Sequence, residues 1–213
     1  MTPMRCDFAI VDDDRAAAAS WAMNLLSRTD VVILDLETCG LYEMAHICEI
    51  AIIRPDGSEL LNTRVRPAIP IPADATAIHG ISDSDVAQAP SIHLIAHGLN
   101  ALLDGVQTIV TYNASFDRGA MDLSLTAGDI HPDWKRWAAS WQWQCAMNRY
   151  AEWYGDWSDY HGNYRYQPLN GGHNALADCR ACLNRIRQMA GEAPLTWTIS
   201  DSLKTAARPT FPS

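Results

Sequence analysis

The stretch VVILDLETCG, Val31 to Gly40, decides how the rest of the chain is read. Five of its first six positions are apolar, the pattern of a strand buried on both faces. Asp35 and Glu37 nevertheless stand at its C-terminal end. Side chains alternate along a strand, so these two carboxylates share one face while Leu34 and Leu36 take the other. Two anions so close repel, and no cationic residue adjoins them in sequence. A solvated strand end is one explanation. The other is a hard divalent cation, for which carboxylate oxygens are the natural ligands. D-x-E is a common pattern, so the pair alone does not choose.

Working outward, an Ala-rich run from Arg15 to Arg28 predicts a first helix, with Trp21, Met23 and Leu25 available for burial. Ile47 to Arg54 and Leu60 to Arg66 read as further strands. Pro55-Asp56-Gly57 between them is a hairpin signal that makes the pair antiparallel. A Pro-rich connection from Pro67 to Pro72 leads to short helical turns near His79 and Asp83, and Ser91 to Leu103 reads as an amphipathic helix. Gln107 to Tyr112 predicts a fourth strand, followed by a helix from Ser115 to Leu125 with Ser115 as N-cap. A Trp-rich region to Trp157 and a polar Gly/Asn/Tyr stretch precede a last helix from Asn174 to Ala190. Three early strands followed by alternating helix and strand predict an α/β layer around a mixed sheet.

A chain of 213 residues fits one domain with a sizeable core. Hydrophobic residues at 48% and charged residues at 19% are a globular rather than a disordered balance. No apolar stretch approaches a membrane span, and Asp7, Asp12, Asp13 and Asp14 interrupt any signal-like start. The expected setting is therefore cytoplasmic, without a membrane. Six scattered cysteines form no disulfide framework. The Cys179-x-x-Cys182 pair lacks a second pair to complete a zinc site, so two small core-facing residues are the preferred reading. A net charge of −9 argues against broad contact with a nucleic-acid backbone, yet it leaves room for an enzyme that grips a few nucleotides.

Two later segments carry further acids. TIVTYNASFD, Thr108 to Asp117, puts Asp117 in the first turn of a helix, where it also complements the helix dipole. HNALADC, His173 to Cys179, sets His173 at the N-terminal edge of the last helix and Asp178 inside it, directly after Gly171 and Gly172. With DLET, these segments resemble the three motifs of the DEDDh group of DnaQ-like 3′→5′ exonucleases, in the family's order. RVRPAIPIPADATAIHGIS, Arg64 to Ser82, is similar to that family's segment ending in H-G-I. The segment from Cys145 to Cys179 resembles stand-alone exonucleases more than polymerase proofreading domains.

The resemblance spans about Val31 to Ala190 and implies a ribonuclease H-like fold, a mixed central β-sheet flanked by helices. It divides the chain into an N-terminal helical extension (1–30), the exonuclease domain (31–190) and a C-terminal tail (191–213). It further implies that Asp35, Glu37, Asp117 and Asp178 hold two Mg²⁺ ions, which Mn²⁺ can replace, with Asp35 bridging both. One ion would polarise a water and the other would stabilise the leaving 3′ oxygen. His173 would take the proton from the attacking water, since imidazole is suited to this near neutral pH. Thr38, Gly40 and Leu41 would lie beside the terminal sugar, with Leu41 against the last bases. Ile78 and His79 would line the nucleotide pocket, and Asn113 would contact sugar or phosphate. The chain departs from the family in Cys39, where relatives often carry Thr, and in a short tail with no polymerase or clamp partner evident.

The expected activity is hydrolysis of phosphodiester bonds from a 3′ end of single-stranded nucleic acid, DNA favoured over RNA, releasing nucleoside 5′-monophosphates. The rivals are a 3′→5′ exoribonuclease on short RNA or RNA 3′ ends, a catalytically silent nucleic-acid-binding protein, and a mononucleotide phosphohydrolase. No residue identifies a contact to a 2′-hydroxyl, and the sequence is compatible with a homodimer. Trp134, Trp137 and Trp141 recur at helical spacing, which favours packing over base stacking. Arg118, Lys135, Arg136, Arg149 and Arg165 could reach phosphates, with a solvated surface as the plainer reading.

Overall fold

The computed structural model describes residues 8–126, 136 and 139–197. Its first helix, α1, runs Phe8–Leu26, beginning earlier than the predicted Arg15. The acidic run does not stop it, because Asp12 and Asp13 face solvent and Asp14 accepts a hydrogen bond from the Tyr164 hydroxyl at 2.8 Å. Ala18, Ala22 and Leu25 are buried, whereas Met23, expected inside, is 52% exposed.

Five strands form one sheet among the described residues: β1 (Val31–Thr38), β2 (Ile47–Ile53), β3 (Glu59–Arg64), β4 (Thr108–Thr111) and β5 (Gln142–Cys145), in the order β3-β2-β1-β4-β5. β1 and β2 are antiparallel, as are β2 and β3, while β1, β4 and β5 run parallel. The mixed sheet is thus the predicted one, with β5 added beyond it. Pro55-Asp56-Gly57 does turn the hairpin: the Gly57 N–H donates to the Arg54 carbonyl, and Gly57 takes φ 87°, a region open to glycine at no steric cost.

The central strand separates two cores. Val32, Leu34 and Leu36 face a cluster built with α4 (Ile92–Leu102) and α5 (Ala114–Thr126). Val31 and Ile33 face the other cluster, built with α1, α6 (Ala146–Tyr154) and α7 (Ala175–Met189). Between β3 and α4 lie two short helices, α2 (Ala73–His79) and α3 (Asp83–Val86), covering a smaller cluster that contains Cys39 and Cys48. A two-stranded ribbon, β6 (Trp157–Ser158) and β7 (Asn163–Tyr164), follows α6. No helix among the described residues is long and apolar enough to cross a membrane.

Several local expectations change. α5 begins at Ala114, so Ser115 lies within the helix rather than capping it. The Asn113 carbonyl already accepts from the Phe116 and Asp117 N–H groups, and the Ser115 hydroxyl donates to the Asn113 side chain at 2.9 Å. Trp134, Trp137 and Lys135 lie outside the described residues. Trp141 is buried and Trp143 sits on β5, both against the first core, so packing accounts for them. Cys179 and Cys182 are both buried in the second core, and the Cys179 thiol donates to backbone carbonyls of β1 and β2. Residues 192–197 return to the body of the protein, where Asn184 exchanges hydrogen bonds with the Leu195 backbone and Arg180 lies over the Trp197 ring at 5.2 Å.

Ile52 is fully buried on β2. Ile52→Ala should lower unfolding free energy by about 2–5 kcal/mol, read from urea denaturation. A loss below about 0.5 kcal/mol would contradict this placement.

Candidate active site

Asp35 and Glu37 emerge from the second-core face of β1, where the strand runs past the apolar cluster. α7 packs against β1 and β2 on that same face, which delivers Asp178 from its first turn. One carboxylate oxygen each from Asp35, Glu37 and Asp178 lies within 4.8 Å of the others. Asp117 enters from the first turn of α5 and acts on Asp35 more strongly than the other neighbouring acids do. All four predicted acids therefore converge. Asp35 is half-buried, and the other three are 4–8% exposed.

The loop before α7 is shaped by Asp178. The Gly172 N–H donates to Asp178 Oδ1 at 2.7 Å. A Cβ on Gly171 would stand 1.6 Å from the same oxygen, so only glycine lets the chain pass there. His173 follows in left-handed backbone at φ 50°, exposed. Burial raises Asp178 above the usual carboxylate range, partly offset by the Gly172 N–H and by nearby His173.

The predicted nucleotide contacts also gather here. Beyond β1, the Thr38 hydroxyl donates to the Gly40 carbonyl at 2.9 Å, holding the turn that presents Leu41, 63% exposed. A cleft of about 580 Å³ is lined by Glu37, Thr38, Gly40, Leu41, Ile78, His79 and their neighbours. Asn113 lines a second cleft of about 430 Å³, with Tyr42 and Ser115. Leu41 and Phe116 border both. His79 accepts from the Ile81 N–H through Nδ1 at 3.0 Å, and burial holds its ring below the usual imidazole range. Neutral His79 therefore carries its proton on Nε2, 3.8 Å from the Cys48 sulfur.

Sequence reading missed Phe116, Tyr42 and Glu49. Glu49 is 4% exposed and pairs across the sheet with Glu37. Its signal was available: a lone acid inside ICEIAII, Ile47 to Ile53, repeats the anomaly of Asp35 in β1. Of the candidate phosphate contacts, Arg149 pairs with Glu152 at 2.9 Å and Arg165 with Asp156 at 2.7 Å.

Crowded acids hold their protons. Burial, then the charges of Asp178 and Glu49, push Glu37 up to about 8. Burial pushes Asp117 up to about 7, and burial with the surrounding acids raises Asp35 well above the carboxylate range. This set of hard carboxylate oxygens, whose ionisation burial and crowding oppose, fits divalent cations, which would favour the ionised form. An acid whose pKa is higher folded than unfolded makes the folded state bind more protons. The metal-free fold therefore loses stability as pH rises from the unfolded value near 4.5 through about 8 for Glu37. In chelator, Asp35→Asn should raise Tm over wild type by more at pH 8 than at pH 5. Mg²⁺ should raise wild-type Tm more at pH 8. An Asp35→Asn advantage that shrinks with rising pH would contradict this electrostatic account.

An exonuclease family model matches residues 32–185, from β1 into α7. The uncharacterized exonuclease CP81 of Escherichia phage 186 is 36% identical over 173 residues, covering 76% of this chain and 88% of that protein. Exodeoxyribonuclease 10 of Escherichia coli K12 is 40% identical over 90 residues, 40% of this chain and 38% of that protein. Among solved structures, E. coli exonuclease I in complex with a dA16 oligonucleotide aligns with a TM-score of 0.57 at 16% identity. That alignment covers 76% of this chain and 42% of the other, a likeness of fold. With the family match enclosing every acid of the cluster, the chain belongs to the DnaQ-like exonucleases and has their ribonuclease H-like fold.

Proposed function

We propose that this protein is a DEDDh-type 3′→5′ exonuclease that shortens single-stranded DNA and releases nucleoside 5′-monophosphates. The observation carrying the proposal is the convergence of Asp35, Glu37 and Asp178 within 4.8 Å, with Asp117 beside them and His173 at the rim. Similarity to an exodeoxyribonuclease, and a fold shared with an exonuclease solved with dA16, favour DNA.

Asp35, Glu37, Asp117 and Asp178 would hold two Mg²⁺ ions, or Mn²⁺ in their place. Bound there, such ions supply Lewis acidity to the water and to the phosphate. His173 accepts the proton of the attacking water from its exposed position beside Asp178. Thr38 and Gly40 shape the turn beside the terminal sugar, and Leu41 with Phe116 divides the two clefts. In this reading they separate the terminal nucleotide, between Ile78 and His79, from the rest of the strand near Asn113. Residues 31–190 form the catalytic unit, with 1–30 as an N-terminal helical extension and 191–213 as a C-terminal tail.

The test is 5′-labelled single-stranded DNA beside a sequence-matched RNA, each with Mg²⁺, Mn²⁺ or chelator. The expected result is a metal-dependent ladder shrinking from the 3′ end, faster on DNA. Asp35→Ala should abolish it. His173→Ala should lower kcat by about 10²–10⁴-fold with metal and substrate binding largely kept. Near-wild-type turnover by either variant would overturn the residue assignment. Faster shortening of the RNA would make the protein an exoribonuclease, and shortening of neither would leave a binding protein.

A further inference from the structure

We propose that Glu49 is a positioning residue that fastens the N-terminus of α7 to the sheet and thereby sets Asp178 and His173 against Asp35 and Glu37. The inference rests on the exonuclease reading of this site.

Four observations carry it. Glu49 Oε2 accepts the Ala175 N–H, the first of α7, at 2.9 Å. Both Glu49 oxygens lie 3.3 Å from the Asn174 side-chain amide, while Asn174 Oδ1 caps the same helix from the Ala177 N–H at 3.2 Å. On the solvent side, Arg64 stands 3.5 Å from Glu49 Oε1. Finally, Glu49 pairs directly with Glu37 in the β1–β2 register.

A carboxylate beside another carboxylate on one sheet face is destabilising unless something else needs it. Here the need is visible: helix N–H groups of the first turn have no partner within the helix, and an anion at that end is stabilised by them. Both oxygens of Glu49 are thereby engaged at the helix start, whereas Asp35, Glu37 and Asp178 each bring one oxygen within 4.8 Å of the others. Glu49 therefore serves the cluster through α7 rather than as a further ligand. Asp178 lies one turn beyond Ala175, and His173 two residues before it. A shift of the helix start would move both together.

The test compares Glu49→Ala with Glu49→Gln in the full chain. Glutamine keeps an acceptor for the Ala175 N–H, and alanine removes it. Glu49→Ala should lower kcat by about 10²-fold, the scale of an ångström-level misplacement, with KM for the oligonucleotide changed less than about threefold. It should also weaken Mn²⁺ binding in calorimetry and lose amide-exchange protection over residues 174–178. Glu49→Gln should recover most of kcat, Mn²⁺ affinity and protection. If Glu49→Ala does not fold, Glu49→Met keeps the side-chain length without the acceptor and takes its place. Wild-type kcat in the alanine variant would overturn the proposal. So would a glutamine variant as slow as alanine with protection intact, which would assign the charge itself to the chemistry. A wild-type protein without nuclease activity would refute the proposed function, and the exchange and Mn²⁺ arms would still decide the role of Glu49.

Discussion

Repulsion among buried carboxylates is the constraint around which this protein is built. Asp35, Glu37, Asp117 and Asp178 come from β1, α5 and α7; burial, and then the neighbouring acids, raise the cost of ionising Asp35 and Glu37. Bringing them together requires rigid elements, because a loop would relax away from such a cluster. β1 meets the need as the central strand, paired with β2 on one side and β4 on the other and packed by apolar layers on both faces. Each fully buried Ile or Leu in those layers contributes about 1.5–3 kcal/mol, enough in aggregate to hold several like charges at close range. Divalent cations bound there would relieve that repulsion.

The same arrangement leaves one side open. Beyond β1 the chain turns through Gly40 to an exposed Leu41 and Tyr42, and α2 brings Ile78 and His79 to the other wall. These exposed apolar groups border the clefts rather than the cores. A net charge of −9 is compatible with this site because only the few phosphates nearest the cluster need compensation, and bound cations would supply it.

Much of this was legible from the sequence because buried carboxylates are anomalies. Asp35 and Glu37 stood out against the apolar run of β1, and the mixed sheet followed from strand patterns and the Pro-Asp-Gly turn. Other features were not legible for physical reasons. β5 reads QWQC, Gln142 to Cys145, an edge strand without an apolar run, so its periodicity was lost among the surrounding tryptophans. Met23 was assigned inward from helical spacing, yet only tertiary contact decides which face of an Ala-rich helix is covered. The role of Gly171 depends on how closely the chain passes the Asp178 carboxylate, a distance no local pattern encodes. Glu49 was the avoidable omission, since its isolation within β2 was the same kind of anomaly as Asp35.

The most direct test of the account is a crystal structure of the protein with Mn²⁺ and a nucleoside 5′-monophosphate, using manganese anomalous scattering. The account predicts two peaks, both ligated by Asp35, with Glu37, Asp117 and Asp178 completing their protein ligands and Glu49 still bound to the start of α7. Manganese sites away from Asp35, or none at a concentration that supports hydrolysis, would contradict it.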